Sequence, residues 1–294
     1  GARDAALFLI RRTDAPVAYH VGTGLAVLGA IAPKSLTMPW AGGMIAANFW
    51  TLIVGRSGTD RKTTSINLGL DILRRGTASA VIPTPGSYEG AITTMSNEGS
   101  GRNSGVVVYP EFGTFLAQSE RGYMGPLRPF YMELYDCPPT YERPLVKKTY
   151  TVEEPRLSLL CGIAPALLER HTATADWEGG FLSRFAVFHG TRDRDFPIPT
   201  TAPEERDGLV SELGRLSRGG NDTAACLGFA ADGVPIWSRW TEALRRLDVP
   251  DRIESAVSRV PVVAIKAMLL LAFDLGIARG MSPWAIPAEV VRAG

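Results

Sequence analysis

The stretch "LIVGRSGTDRKTT", residues 52–64, carries the types and spacing that could do chemistry. An apolar run ends in a glycine, passes through small and polar residues, and reaches Arg-Lys-Thr-Thr. A phosphate-binding loop needs a strand that delivers the chain to a sheet edge and a turn whose N–H groups face an anion. It also needs a helix start with a lysine and a hydroxyl just inside it. The usual spelling is G-x-x-x-x-G-K-[ST]. Here one residue more separates Gly55 from Lys62, and Arg61 stands where the second glycine belongs. The parts are nonetheless present. Gly55, Arg56, Ser57, Gly58, Thr59, Asp60, Arg61, Lys62, Thr63 and Thr64 are the candidate phosphate-binding set. Lys62 can reach the β- and γ-phosphates, and the Thr63 hydroxyl can bind Mg²⁺. Arg61 can add a second positive charge, with its side chain pointing away from the cradle. The competing reading is a basic helix start after a glycine turn, with no ligand.

Phosphoryl chemistry also needs an acid on a neighbouring strand. "SGVVVYPEFGTFL" runs an apolar segment straight into Pro110-Glu111, 49 residues after Lys62. Glu111 then lies at a strand's C-terminal end, where open α/β sheets bind ligands. The usual pair of acids is reduced to Pro-Glu. A solvated residue at a strand end is the alternative. In "EGGFLSRFAVF", Arg184 follows a Gly-Gly turn inside an apolar stretch. It reads either as an ion-pair partner or as a cation that reaches a neighbouring subunit's nucleotide.

These residues need elements to position them. A helix is expected at 17–32 and a Gly/Pro-rich connection at 33–44. The run 49–54 reads as a buried parallel strand. Apolar spacing predicts a helix over 63–75, closed by Arg74, Arg75 and Gly76. Strands are expected at 78–83, 106–111, in "KKTYTV", in "RLSLLCGI" and in "SRFAVFHG". Helices are expected at 88–96, capped by Ser87, and at 113–119, 126–135 and in "PALLERHT". From about 200 onward the pattern is mostly helical: 203–217, 233–247 and 251–278. Alternating strands and helices argue for an α/β protein with a mainly parallel sheet.

Composition narrows the classes. The 294 residues can bury a sizeable core without disulfides. Lys+Arg at 31 against Asp+Glu at 30 gives a net charge of +1, so no global charge attracts nucleic acid or a membrane. Three scattered cysteines and three scattered histidines support neither a zinc site nor a disulfide framework, and reduced thiols suggest a cytoplasmic protein. No signal peptide is read at the start. The apolar segments 21–33 and 260–277 read as buried helices rather than membrane spans. Gly1 and Gly294 read as cut from a longer chain.

"GRSGTDRKTT", "PGSYEGAI", "VVYPEFGTFL", "LSLLCGIAPALLERH" and "GGFLSRF", in this order, resemble the RecA-like P-loop ATPase domain of phage and plasmid primase-helicases and their uncharacterised relatives. In that family the Walker A often ends Arg-Lys-Thr-Thr and the Walker B reads Pro-Glu or Asp-Glu. The opening "RTDAPVAYHVGTGLAVLGAIAP" is similar to its helical lead-in, and the resemblance covers roughly residues 10 to 275.

The resemblance implies a RecA-like core at 46–195, a helical lead-in at 1–45 and a mainly helical extension at 196–294. It implies Lys62 and Thr63 on phosphate and Mg²⁺, Glu111 as the Walker B acid, and Arg184 as a finger or sensor. Ser87 and Glu89 match a recurring S-x-E. Glu89 can polarise water, or simply be an acid favourable in a helix's first turn. The implied function is an ATP-dependent motor, with ATP and Mg²⁺ as cofactors, working on DNA as a ring, a hexamer by expectation. DNA contacts are expected from "RRG" (74–76), "SERGYMGPLRP" (119–129) and "RPLVKK" (143–148), with Tyr123 and Tyr141 for base stacking. A slow or non-hydrolysing nucleotide-binding switch is the alternative, and a small-molecule kinase a third reading.

Overall fold

The computed structural model describes residues 8, 11–97, 99–119, 122–144, 148–172, 174–192, 203–218, 226–276 and 284–294. Helix α1 (Val17–Ile31) leads into a hairpin of β1 (Thr37–Trp40) and β2 (Gly43–Ala46), then β3 (Trp50–Val54) and α2 (Lys62–Gly76). Helix α3 (Tyr88–Met95), β4 (Ser104–Tyr109), α4 (Phe112–Gln118) and α5 (Leu127–Tyr135) follow. A second hairpin, β5 (Thr140–Pro144) and β6 (Thr149–Glu153), precedes β7 (Arg156–Ile163), α6 (Pro165–His171), α7 (Thr174–Glu178) and β8 (Ala186–His189). The last third holds α8 (Pro203–Arg218), β9 (Cys226–Phe229), α9 (Val234–Arg245), α10 (Asp251–Asp274), β10 (Trp284–Ile286) and α11 (Ala288–Ala293).

The protein is α/β. Its central sheet has four parallel strands in the order β4-β7-β3-β8. Side chains alternate along each strand, so each strand feeds two cores. Trp50, Leu52 and Val54 of β3, with Val107 and Tyr109 of β4 and Leu157, Leu159 and Cys161 of β7, pack against α3, α4 and α5. Ile53, Val106, Val108 and Leu160 face the other way, against α1, α2 and α10. That second core takes residues from the lead-in, the sheet and the C-terminal third alike. Each fully buried side chain such as Leu52 contributes roughly 1.5–3 kcal/mol.

Several expectations change here. The strand expected at 78–83 is a single 3₁₀ turn at Ala78–Ala80 followed by an isolated parallel bridge, Val81 to Val106. Pro83 and Pro85 lack the N–H groups a ladder needs. One backbone bond, Ile82 N–H to the Val106 carbonyl, and one side-chain bond, Thr84 Oγ1 to the Val108 carbonyl at 3.0 Å, fasten the segment instead. The strand in "KKTYTV" spans Thr149–Glu153 and pairs antiparallel with Thr140–Pro144, outside the main sheet. The connection at 33–44 contains the β1–β2 hairpin. The C-terminal third, expected mostly helical, carries four helices among the described residues and adds one short parallel pair, β9 with β10. Among the described residues one helix, over Ile253–Asp274, is long and apolar enough to cross a membrane, and half of its apolar window is buried inside the protein.

Candidate functional site

All four strands of the sheet end on the same side, and the loop after β3 opens there. Its start is pinned by the Gly55 N–H, which donates to the Ile163 carbonyl at the tip of β7. Tyr19 of α1 braces it from beneath, its hydroxyl donating to the Val54 carbonyl at 2.8 Å and lying 3.3 Å from the Gly190 carbonyl. Only glycine fits at 55, since a Cβ there would meet the Tyr19 hydroxyl at 2.1 Å. Burial, reinforced by the charge of Asp60, pushes the Tyr19 phenol up to about 12, so it stays a neutral donor.

The extra residue of the loop has a clear job. The Asp60 carboxylate, 3% exposed, accepts the Arg56 backbone N–H at 2.7 Å and is forked by the Arg56 guanidinium. Thr59 Oγ1 donates to it as well. Burial alone would raise its pKa, but the Arg56 and Thr59 hydrogen bonds and the Arg56 charge hold it below the ordinary value. Asp60 thus cross-ties the loop from within.

Arg61 occupies the left-handed region, φ 57°, where the usual spelling has glycine. Its side chain is taken up by a buried acid, Nε pairing with Asp14 at 3.2 Å. Asp14, 1% exposed, also pairs with Arg192 at 2.8 Å, just past the end of β8. This Arg61–Asp14–Arg192 chain joins the lead-in, the loop and the edge strand. Asp14, Tyr19 and Arg192 were not legible as site residues, because nothing local marks a residue that becomes a neighbour only through the sheet order.

Lys62 opens α2. The residue is 7% exposed, and among the described residues no acceptor lies within hydrogen-bonding distance of its ammonium group. Burial holds its pKa below the ordinary value, partly offset by the charges of Glu111 and Asp60. The helix has no side-chain cap, so its first-turn N–H groups also lack an intrahelical partner. The hydroxyl of Thr63 is exposed beside them. Glu111 stands two residues past β4, exposed, as the cap residue of α4. A largely buried lysine, uncapped helix N–H groups and a hydroxyl thus stand at the start of α2, with the Glu111 carboxylate near enough for its charge to act on Lys62, a donor set that fits a phosphate with a hard cation. No cluster of three or more metal-ligating side chains exists among the described residues.

Other expected residues go elsewhere. Ser87 caps α3, its Oγ accepting from the Gly90 N–H at 3.0 Å, and Glu89 is an exposed acid in that helix's first turn. Arg184 is not brought to the loop. It precedes β8 at the opposite edge of the sheet, 8% exposed, with Nη1 donating to the Gly180 carbonyl at 2.7 Å. Its Nη2 pairs with Asp136 at 3.6 Å. Strand direction decides this, because Arg184 lies before β8 whereas the loop follows β3. Among the expected DNA contacts, Arg75 is tied to Asp71 and Arg128 to Ser119 and Asp176. Tyr141 is buried against the Tyr88 hydroxyl. Tyr123 is exposed, Lys148 stacks on the Tyr150 ring, and Arg143 lies over Tyr88. Arg121 and Lys147 lie outside the described residues.

Compared with known proteins, the chain matches no family model and no curated sequence.

Proposed function

We propose that the chain is an ATP-dependent motor acting on DNA, with a RecA-like core and with the loop Gly55–Thr64 holding the phosphates of ATP. The observation that carries this reading is Lys62, a residue 7% exposed whose ammonium has no acceptor among the described residues, at the N-terminus of a helix without a side-chain cap. A largely desolvated cation without a partner is costly, and an anionic ligand would offset the cost.

In this reading Lys62 and the first-turn N–H groups of α2 bind the β- and γ-phosphates. Thr63 and Glu111 would hold Mg²⁺, which when bound neutralises charge on those oxygens. Glu111 also stands where it can orient a water and take its proton as the γ-phosphate leaves with that oxygen. Asp60 and Tyr19 keep the loop in shape. The hairpin β5–β6, with Arg143, Lys148 and nearby Tyr123, is the DNA-facing candidate, and a ring of copies would supply repeated contacts. Arg184 does not enter this chain's own phosphate site, its contacts running to Gly180 and Asp136; its place in the reading is the contact with a neighbouring copy's nucleotide.

ATP hydrolysis with and without single-stranded DNA tests the proposal. DNA-stimulated turnover is expected in the wild type and lost in Lys62→Ala and Glu111→Gln. Equal turnover in Lys62→Ala refutes it. One observation favours a second reading, a nucleotide-gated switch: Pro110 stands where a second acid would be. Tight ATP binding without turnover, DNA present, selects that reading.

A further inference from the structure

At the sheet edge opposite the loop, cations outnumber their partners. Arg184 is 8% exposed and its Nε is buried with no acceptor. Its Nη2 faces Asp136 only at 3.6 Å, and the Asp136 side chain is 66% exposed. Arg259 of α10 comes to the same place. Its Nη2 and the Arg184 Nη1 lie 3.5 and 2.9 Å from the point that a Cβ on residue 180 would occupy. Residue 180 is a glycine at φ 85°, where a Cβ would press on Arg184 Nη1, so glycine lets the two guanidinium groups converge there, with Met132 Cε 3.7 Å from the same point. Among the described residues the Arg259 guanidinium has no hydrogen-bond acceptor. Lys266 is buried close by. It donates to the Ala46 carbonyl and Asn48 Oδ1, and its ammonium lies 4.3 Å from the Tyr135 ring, whose centre is also 5.5 Å from the Arg184 guanidinium carbon.

Two guanidinium groups repel unless an anion lies between them. Asp136 alone does not balance Arg184, Arg259 and Lys266, and it is tethered from the solvent side. Guanidinium forks match the oxygens of phosphate in geometry and charge. We infer that Arg184 and Arg259 form a second anion site, over Gly180, which takes a phosphate-type oxyanion and exchanges it against Asp136. The oxyanion's source is free phosphate or the phosphate tail of a nucleotide. The site stands apart from the loop, so a loop that binds nothing would leave it untouched.

Calorimetric titration of the full-length chain carrying Lys62→Ala tests it, with inorganic phosphate in one arm and ADP in the other, chloride holding the ionic strength constant. Saturable binding is expected. Arg259→Gln, at a half-buried position the fold can spare, should weaken it roughly tenfold or more. Asp136→Asn, which removes the competing carboxylate, should tighten it. Binding in the phosphate arm assigns the free ion as the source, and binding in the ADP arm alone assigns the nucleotide tail. Absence of binding in both arms overturns the inference, as does an affinity that neither substitution changes while both variants keep the native circular dichroism.

Discussion

Replacing Lys62 by methionine separates a residue kept for a ligand from one kept for the fold. Methionine preserves the length of the stem, which packs at the start of α2, and deletes the ammonium. In the wild type Lys62 is 7% exposed as a residue, and its ammonium has no acceptor among the described residues. A buried polar group left without a partner costs about 1–3 kcal/mol, and more when charged. The charges of Glu111 and Asp60 repay part of this. The net expectation is that Lys62→Met folds about 1 kcal/mol more stably than the wild type. For a chain this long that raises the melting temperature by roughly 2–4 °C. The same change removes a charge-assisted contact to phosphate worth roughly 1.5–3 kcal/mol, a loss in ATP affinity of about 10- to 150-fold. Calorimetry of unfolding and of ATP binding reads both numbers on one preparation. A variant that is less stable and binds ATP undiminished would refute the reasoning, because Lys62 would then be a structural cation.

Further outcomes follow from the braces around the loop. Asp60→Ala deletes the acceptor of a buried N–H and of the Arg56 fork, and should cost about 1–3 kcal/mol in urea unfolding. The folded-state pKa of Asp60 is depressed, so its stabilising share is present above the unfolded carboxylate pKa of about 4 and lost as pH falls through the lower folded value. A stability profile between about pH 2 and 5 should therefore be flatter in Asp60→Asn. Lys266 is the opposite case. Burial lowers it to about 8, so its charge opposes folding below that pH and ceases to do so as pH rises toward the unfolded value. Wild-type stability should gain about 3 kcal/mol between about pH 8 and 10.5 relative to Lys266→Met, and parallel profiles for the two proteins would contradict this. Arg61→Gly relieves about 1 kcal/mol of left-handed strain but cuts the tie to Asp14, so its unfolding midpoint should move little. A large loss would mean that the ion pair dominates.

Where local chemistry decides, the sequence was readable. The apolar run 49–54 is a buried strand because it feeds two cores, and the helix after Arg61 ends at the Arg-Arg-Gly that marks its stop. Where strand order decides, it was not. Arg184 reads along the chain as an ion-pair partner or as a cation for a neighbouring subunit's nucleotide, and only the parallel run of β8 beside β3 shows that it lies at the far end of the strands from this chain's own loop. The segment 78–83 has strand-like residues, but its flanking prolines leave the ladder without donors. Asp14 and Arg192 lie far apart in the chain and meet only because α1 crosses beneath the loop and β8 is its neighbour.

The central claim is that Gly55–Thr64 holds nucleotide phosphate, and equilibrium binding of Mg²⁺·ATP tests it most directly, wild type beside Lys62→Ala. The account predicts saturable binding to the wild type and an affinity roughly tenfold or more lower in the variant. Equal affinity in the two proteins, or no binding to the wild type, would contradict it.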